Sequence, residues 1–176
     1  MAREWRRAID QLVERDDVDP QRIAYVGHSF NAGVGAMLSA VEKRIQSFAL
    51  MAGQYSLREY VFDTKNPEMI ADRKKRSNAW IAEYFTKFPW VDAVNFVERS
   101  APAAVFLQFG RRDKSIPARI ARVGFAHFQQ PKRMAFYDAG HELNSAARID
   151  RARWLAGRLK LATIDESALR RIPALH

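Results

Sequence analysis

Four short apolar runs, at residues 23–26, 47–51, 103–109 and 132–137, constrain this chain more than any other feature. The second and third are too continuously apolar for a strand with one wet face, and such runs belong to sheets covered on both sides. Helical spacing fills the gaps between them. Trp5, Ala8, Ile9, Leu12 and Val13 form one stripe, and Val34, Met37, Leu38 and Val41 a second. Ile149, Ala152, Leu155, Ala156 and Leu159 form a closing helix over 145–160. Buried strands alternating with helices predict a mostly parallel sheet in an α/β architecture of three α/β/α layers.

Composition sets the scale. With 176 residues, 48% hydrophobic and 28% charged, residues 1–176 are expected to make one globular domain. No apolar run approaches the ~18 residues of a membrane span. The first residues, with Arg3, Glu4, Arg6 and Arg7, lack the apolar stretch of a secretory signal, so a cytoplasmic protein without a membrane partner is expected. Cysteine is absent, which removes disulfides, thiolate metal sites and a cysteine nucleophile. The imidazoles are His28, His127, His141 and His176, too few and too scattered to predict a structural metal. The formal charge is +9, from 29 Lys and Arg against 20 Asp and Glu. The basic residues are dispersed apart from Arg73-Lys74-Lys75-Arg76, Arg111-Arg112 and Arg170-Arg171, and no nucleic-acid signature accompanies them. They read as solvated surface, with no specific nucleic-acid partner.

Residues 54–98 do not fit a single crossover helix, and they hold nine aromatic residues. Trp80, Ile81, Tyr84 and Phe85 share one helical face. Two readings stay open: core packing, or a helical insertion standing over the strand ends as a lid. Residues 162–176 read as a peripheral addition.

The stretch Gly27-His28-Ser29-Phe30-Asn31-Ala32-Gly33 follows the first run and opens a helix. A serine on such a turn is raised above the sheet, with a glycine beside it to leave room, and the helix presents its amino end to developing negative charge. Ser29 is therefore the candidate nucleophile, and the backbone N–H of Phe30 a candidate oxyanion-hole donor. His28 reads as a packing or hydrogen-bonding residue under the loop, pointing away from the reacting centre, and His127 as a satisfied structural histidine.

Through about residue 160 the chain resembles the α/β-hydrolase superfamily, particularly its dienelactone-hydrolase-like and prolyl-oligopeptidase-like esterases. The nucleophile elbow of that family is Gly-x-Ser-x-Gly; Gly27 and Ser29 match, and Asn31 stands at the last glycine, where its tolerance of unusual backbone angles is expected to help. The resemblance implies that an acid and then a histidine follow. Asp113, in Gly110-Arg111-Arg112-Asp113-Lys114-Ser115-Ile116-Pro117, resembles the family's acid loop, with Asp138 as the alternative. Gly140-His141-Glu142-Leu143 resembles its histidine loop. The implied chemistry is that of a serine hydrolase acting on a small carboxylic ester or related acyl compound, without cofactor or metal. His141 would be the general base and Asp113 the orienting acid. Aromatic residues of 54–98 would suit an apolar acyl group, and Arg111, Arg112 and Arg119 an acidic substituent.

In that family several strands and a loop supplying a second oxyanion donor precede the elbow strand; here only about 22 residues do. The chain thus resembles the carboxyl-terminal half of such an enzyme. Three readings follow: a fragment of a longer hydrolase, a homo-oligomer completing the sheet or pocket, or a small stand-alone fold. A catalytically silent binding or assembly module is the functional alternative. A basic polyanion-binding protein is a weaker one, resting on the net charge alone.

Overall fold

The computed structural model describes residues 2–173. Its sheet contains β1 (Ala24–His28), β2 (Ser47–Met51), β3 (Ala104–Gly110) and β4 (Lys132–Tyr137), in that spatial order and all parallel. Ala24 lies opposite Ser47, Ser47 opposite Ala104, and Val105 opposite Lys132. Parallel pairing brings every strand's carboxyl end to one rim, where ligands meet open α/β sheets.

Helices cover both faces, giving the expected three layers. Every residue of β3 is buried. Val105, Leu107 and Phe109 join one apolar core with residues of α1 (Ala2–Val13), α2 (Phe30–Val41) and α6 (Ala118–His127). Phe106 and Gln108 face α7 (Ser145–Leu159), where Phe106 packs on Trp154 with ring centroids 5.4 Å apart. Gln108 is a polar residue inside this strand and is fully partnered: its amide donates to Ala147 O and Tyr137 Oη, both at 2.8 Å, and it accepts from Arg151 at 2.9 Å.

The two sheet edges depart from uniform burial. β4 has no fully buried residue and begins with Lys132 and Arg133, charges that suit a solvent-facing edge. In β1, Tyr25 enters the core, but Val26 points to the face of α7 and stays 49% exposed, because α7 packs over β2 to β4.

Residues 54–98 form α3 (Leu57–Asp63), α4 (Pro67–Arg73), α5 (Asn78–Lys87) and three short 3-10 turns. Their ends are capped by side chains: Asn66 accepts from Glu68 N and Met69 N, and Ser77 from Trp80 N. The buried carboxylate of Asp92 accepts from Leu57 N at 2.8 Å and Arg58 N at 3.1 Å, fastening the start of α3. The aromatic residues divide. Tyr55 is buried edge-on between Phe109 and Phe128, whereas Trp80, Phe88 and Trp90 are exposed.

The carboxyl-terminal α8 (Glu166–Arg171) rests on α7 through Arg148, which donates to the carbonyls of Leu169 and Ile172, and through the Arg153–Glu166 ion pair. His176 lies outside the described residues. Among the described residues no helix is long and apolar enough to cross a membrane.

Candidate active site

The turn between β1 and α2 holds Ser29 at φ 53° and ψ −117°, a conformation that L residues adopt at a cost. It is fixed from several sides. Ser29 N donates to Met51 O at 2.8 Å, and Ser29 O accepts from Ala32 N and Gly33 N as α2 begins. A Cβ at position 27 would come within 2.6 Å of Asn31 O, so Gly27 is required by close backbone approach. Asn31 corrects the sequence expectation. It is not among the residues with positive φ and its side chain is exposed, so its tolerance of unusual angles plays no part. Its contribution is the carbonyl, which accepts from Tyr25 Oη at 2.8 Å. The Phe30 N–H opens α2, where no intrahelical acceptor exists for it.

The loops after β3 and β4 are laced together. Arg111 N donates to Tyr137 O at 2.8 Å and Arg112 N to Ala139 O at 2.9 Å. A Cβ on Gly110 would overlap the carbonyl oxygens of Gly140 and Ala139. This lacing delivers Asp113 and His141 to Ser29. His141 Nδ1 lies 2.8 Å from Asp113 Oδ2, and His141 Nε2 lies 2.9 Å from Ser29 Oγ. The Asp113 side chain is completely buried, and its other oxygen accepts from Ser115 N at 2.7 Å and Ile116 N at 3.0 Å. An ionised, acceptor-only carboxylate assigns the proton on the imidazole to Nδ1, leaving Nε2 to accept from the serine hydroxyl. Hydrogen bonding to Asp113 raises the His141 pKa above the ordinary histidine value, against an opposing desolvation and with a smaller contribution from the Glu142 charge.

The other sequence candidates fall outside this relay. Asp138 is exposed and pairs with Arg112 at 3.2 Å. His127 is exposed at the end of α6, which corrects its reading as a satisfied structural histidine; the apolar side of that helix is occupied by Ile120, Ala121 and Gly124 instead. His28 does hydrogen-bond a loop, but not away from the centre. Its Nε2 is 2.9 Å from His141 O, the two rings meet edge to face at 5.0 Å, and Glu142 stands 3.9 Å off. Arg119 is committed to Glu59 and Asp63, so it is not a free cation for an acidic substituent.

Two further strained residues went unread in the sequence. Ala52, after β2, has φ 47°, and Leu143, after His141, has φ 59°. With Ser29 they place on this rim three of the four positive-φ non-glycine residues found among the described residues. Neither carries a glycine or asparagine that would have signalled it.

Beside Ser29 and His141 opens a cavity of about 520 Å³. Its far side is apolar, with Met37 of α2, Leu57 and Tyr60 of α3, Met69 of α4, and Val91.

A parallel sheet, a strained serine after its first strand, and an acid and histidine on later loops together define an α/β-hydrolase fold. Solved structures agree. An acetyl xylan esterase from Paenibacillus sp. R4 superposes with a TM-score of 0.73 at 20% identity, covering 86% of this chain and 50% of its own. The acetyl xylan esterase 1 of Thermoanaerobacterium sp. JW/SL YS485 gives 0.72 at 22%, covering 89% and 50%. A 2,6-dihydroxy-pseudo-oxynicotine hydrolase gives 0.70 at 17%, covering 90% and 46%. This chain therefore spans about half the length of these neighbours. No protein-family model matches the sequence, and no curated protein matches it significantly.

Proposed function

We propose that this chain carries the acyl-transfer machinery of a serine esterase. The observation that carries the reading is the continuous hydrogen-bond relay from Ser29 Oγ through His141 to buried Asp113. In the proposed reaction Ser29 Oγ attacks the ester carbonyl as His141 Nε2 takes its proton. Asp113 holds the imidazole in the required tautomer and stabilises its cation. The Phe30 N–H and the amino end of α2 receive the oxyanion. Collapse expels the alcohol, which takes the proton from His141 and leaves an acyl-Ser29. Water, deprotonated by the same imidazole, then releases the acid.

The apolar cavity supports a carboxylic ester with a hydrocarbon part, and residues 54–98 are read as its wall and lid. Two acetyl xylan esterases among the structural neighbours support the ester reading. A fluorophosphonate probe tests the reading: labelling of the protein that vanishes in Ser29→Ala is expected, whereas folded protein that stays unlabelled sinks it.

The outer edge of β1, which no strand among the described residues pairs, and the half-exposed Val26 favour a second reading in which the fold is an assembly module whose sheet is continued by another copy of the chain. Light scattering over a concentration series tests it; a constant monomer mass removes it.

A further inference from the structure

A second cavity of about 330 Å³ adjoins the first, and Leu57 and Met69 line both. Its outer wall is α5. Trp80 and Tyr84 are stacked 5.6 Å apart at 19°, and Phe85 meets Tyr84 edge-on at 5.6 Å. Its rim is cationic. Arg76 sits over the Trp80 ring at 4.7 Å from the centroid, and Arg73 stands beside it with one N–H donated to the neutral carbonyl of Phe62. Asp72 is the rim's one carboxylate, and it is shared by Lys75 at 3.3 Å and Arg76 at 3.7 Å. Two lining cations, Arg73 and Arg76, therefore face one lining anion, Asp72, at the mouth of an aromatic-walled space.

A purely hydrocarbon guest would fill the wall and ignore the rim, and a cationic guest would be repelled. A flat ring bearing a carboxylate satisfies both, packed against the lining of Trp80, Ile81, Tyr84 and Phe85 with its charge at Arg73 and Arg76. We propose that this cavity is a distal subsite for an aromatic group carrying an anionic substituent, the part of the substrate remote from the ester carbonyl at Ser29. The inference rests on the esterase reading for the word substrate, but the binding site itself does not.

The test separates the two. In Ser29→Ala protein, calorimetric titration at low ionic strength compares 3-phenylpropanoate with its uncharged amide. The acid is expected to bind about three- to tenfold more tightly than the amide, the range a partly exposed charge pair supplies. Arg76→Gln should erase that preference and leave the amide unchanged, Trp80→Ala should weaken both ligands, and added salt should weaken the acid alone. Equal affinities, an unchanged preference in Arg76→Gln, or no heat from either ligand would overturn the subsite. Because no turnover is required, acid-selective binding with a silent Ser29 would refute the esterase and keep the subsite. Probe labelling without acid selectivity would do the reverse.

Discussion

The rim bearing Ser29, Asp113 and His141 and the wall built by residues 54–98 are held by opposite means. At the rim, backbone touches backbone: Gly27 against Asn31 O, Gly110 against the carbonyls of Ala139 and Gly140, and three strained residues locked by main-chain bonds. The wall is a set of short helices joined by side-chain caps, with half-buried apolar groups turned to the cavity. On the esterase reading, chemistry falls to the backbone-locked rim and selectivity to the wall built from side chains.

The sharpest way to break this contrast is at the relay. Ser29→Ala or His141→Ala should lower ester kcat by about 10⁴ or more, and Asp113→Asn by about 10⁴, because these groups act as a unit. Steady-state hydrolysis of a chromogenic ester checks this, and a wall variant with an equal loss of kcat would erase the distinction. Next is Gly110→Ala, whose methyl meets immovable carbonyls; it should cost about 3 kcal/mol in urea denaturation. Ser29→Gly should be more stable than Ser29→Ala by about 1–2 kcal/mol, since glycine accepts φ 53° freely. That difference should read as a few degrees in melting temperature. Met69→Ala, on the wall, should raise KM about three- to tenfold with kcat little changed.

The smallest effect concerns pH. The relay needs neutral His141, whose pKa is raised, so the rate should climb through a midpoint above the ordinary value of about 6.5. Glu142→Gln, which removes a minor raising charge, should move that midpoint down by a few tenths of a unit. The stability linked to the same group has the opposite slope. It is fully present below the unfolded histidine pKa and is lost as pH rises through the raised folded value.

Much of the rim was legible because local constraints write it into the sequence. Doubly buried strands read as unbroken apolar runs, and a serine two residues after Gly27 at a strand-to-helix turn reads as an elbow. His141 lies 28 positions from Asp113 and 112 from Ser29, and no periodicity links such distant residues; resemblance to a known order of motifs located them. The wall was less legible because an aromatic stripe looks the same whether it enters a core or faces a cavity. Tyr55 does the first, while Trp80 and Tyr84 line a hollow. Arg119 looked available until α3 placed Glu59 and Asp63 beside it.

The half-bare first strand has a colloidal consequence. Copies carrying +9 repel one another over roughly 10 Å at 0.1 M salt, which keeps unsatisfied strand edges apart. Raising the ionic strength strips away that cushion while leaving the half-exposed Val26 side chain untouched. For this molecule a salty buffer, commonly chosen to quiet clumping, is the condition that should bring it on.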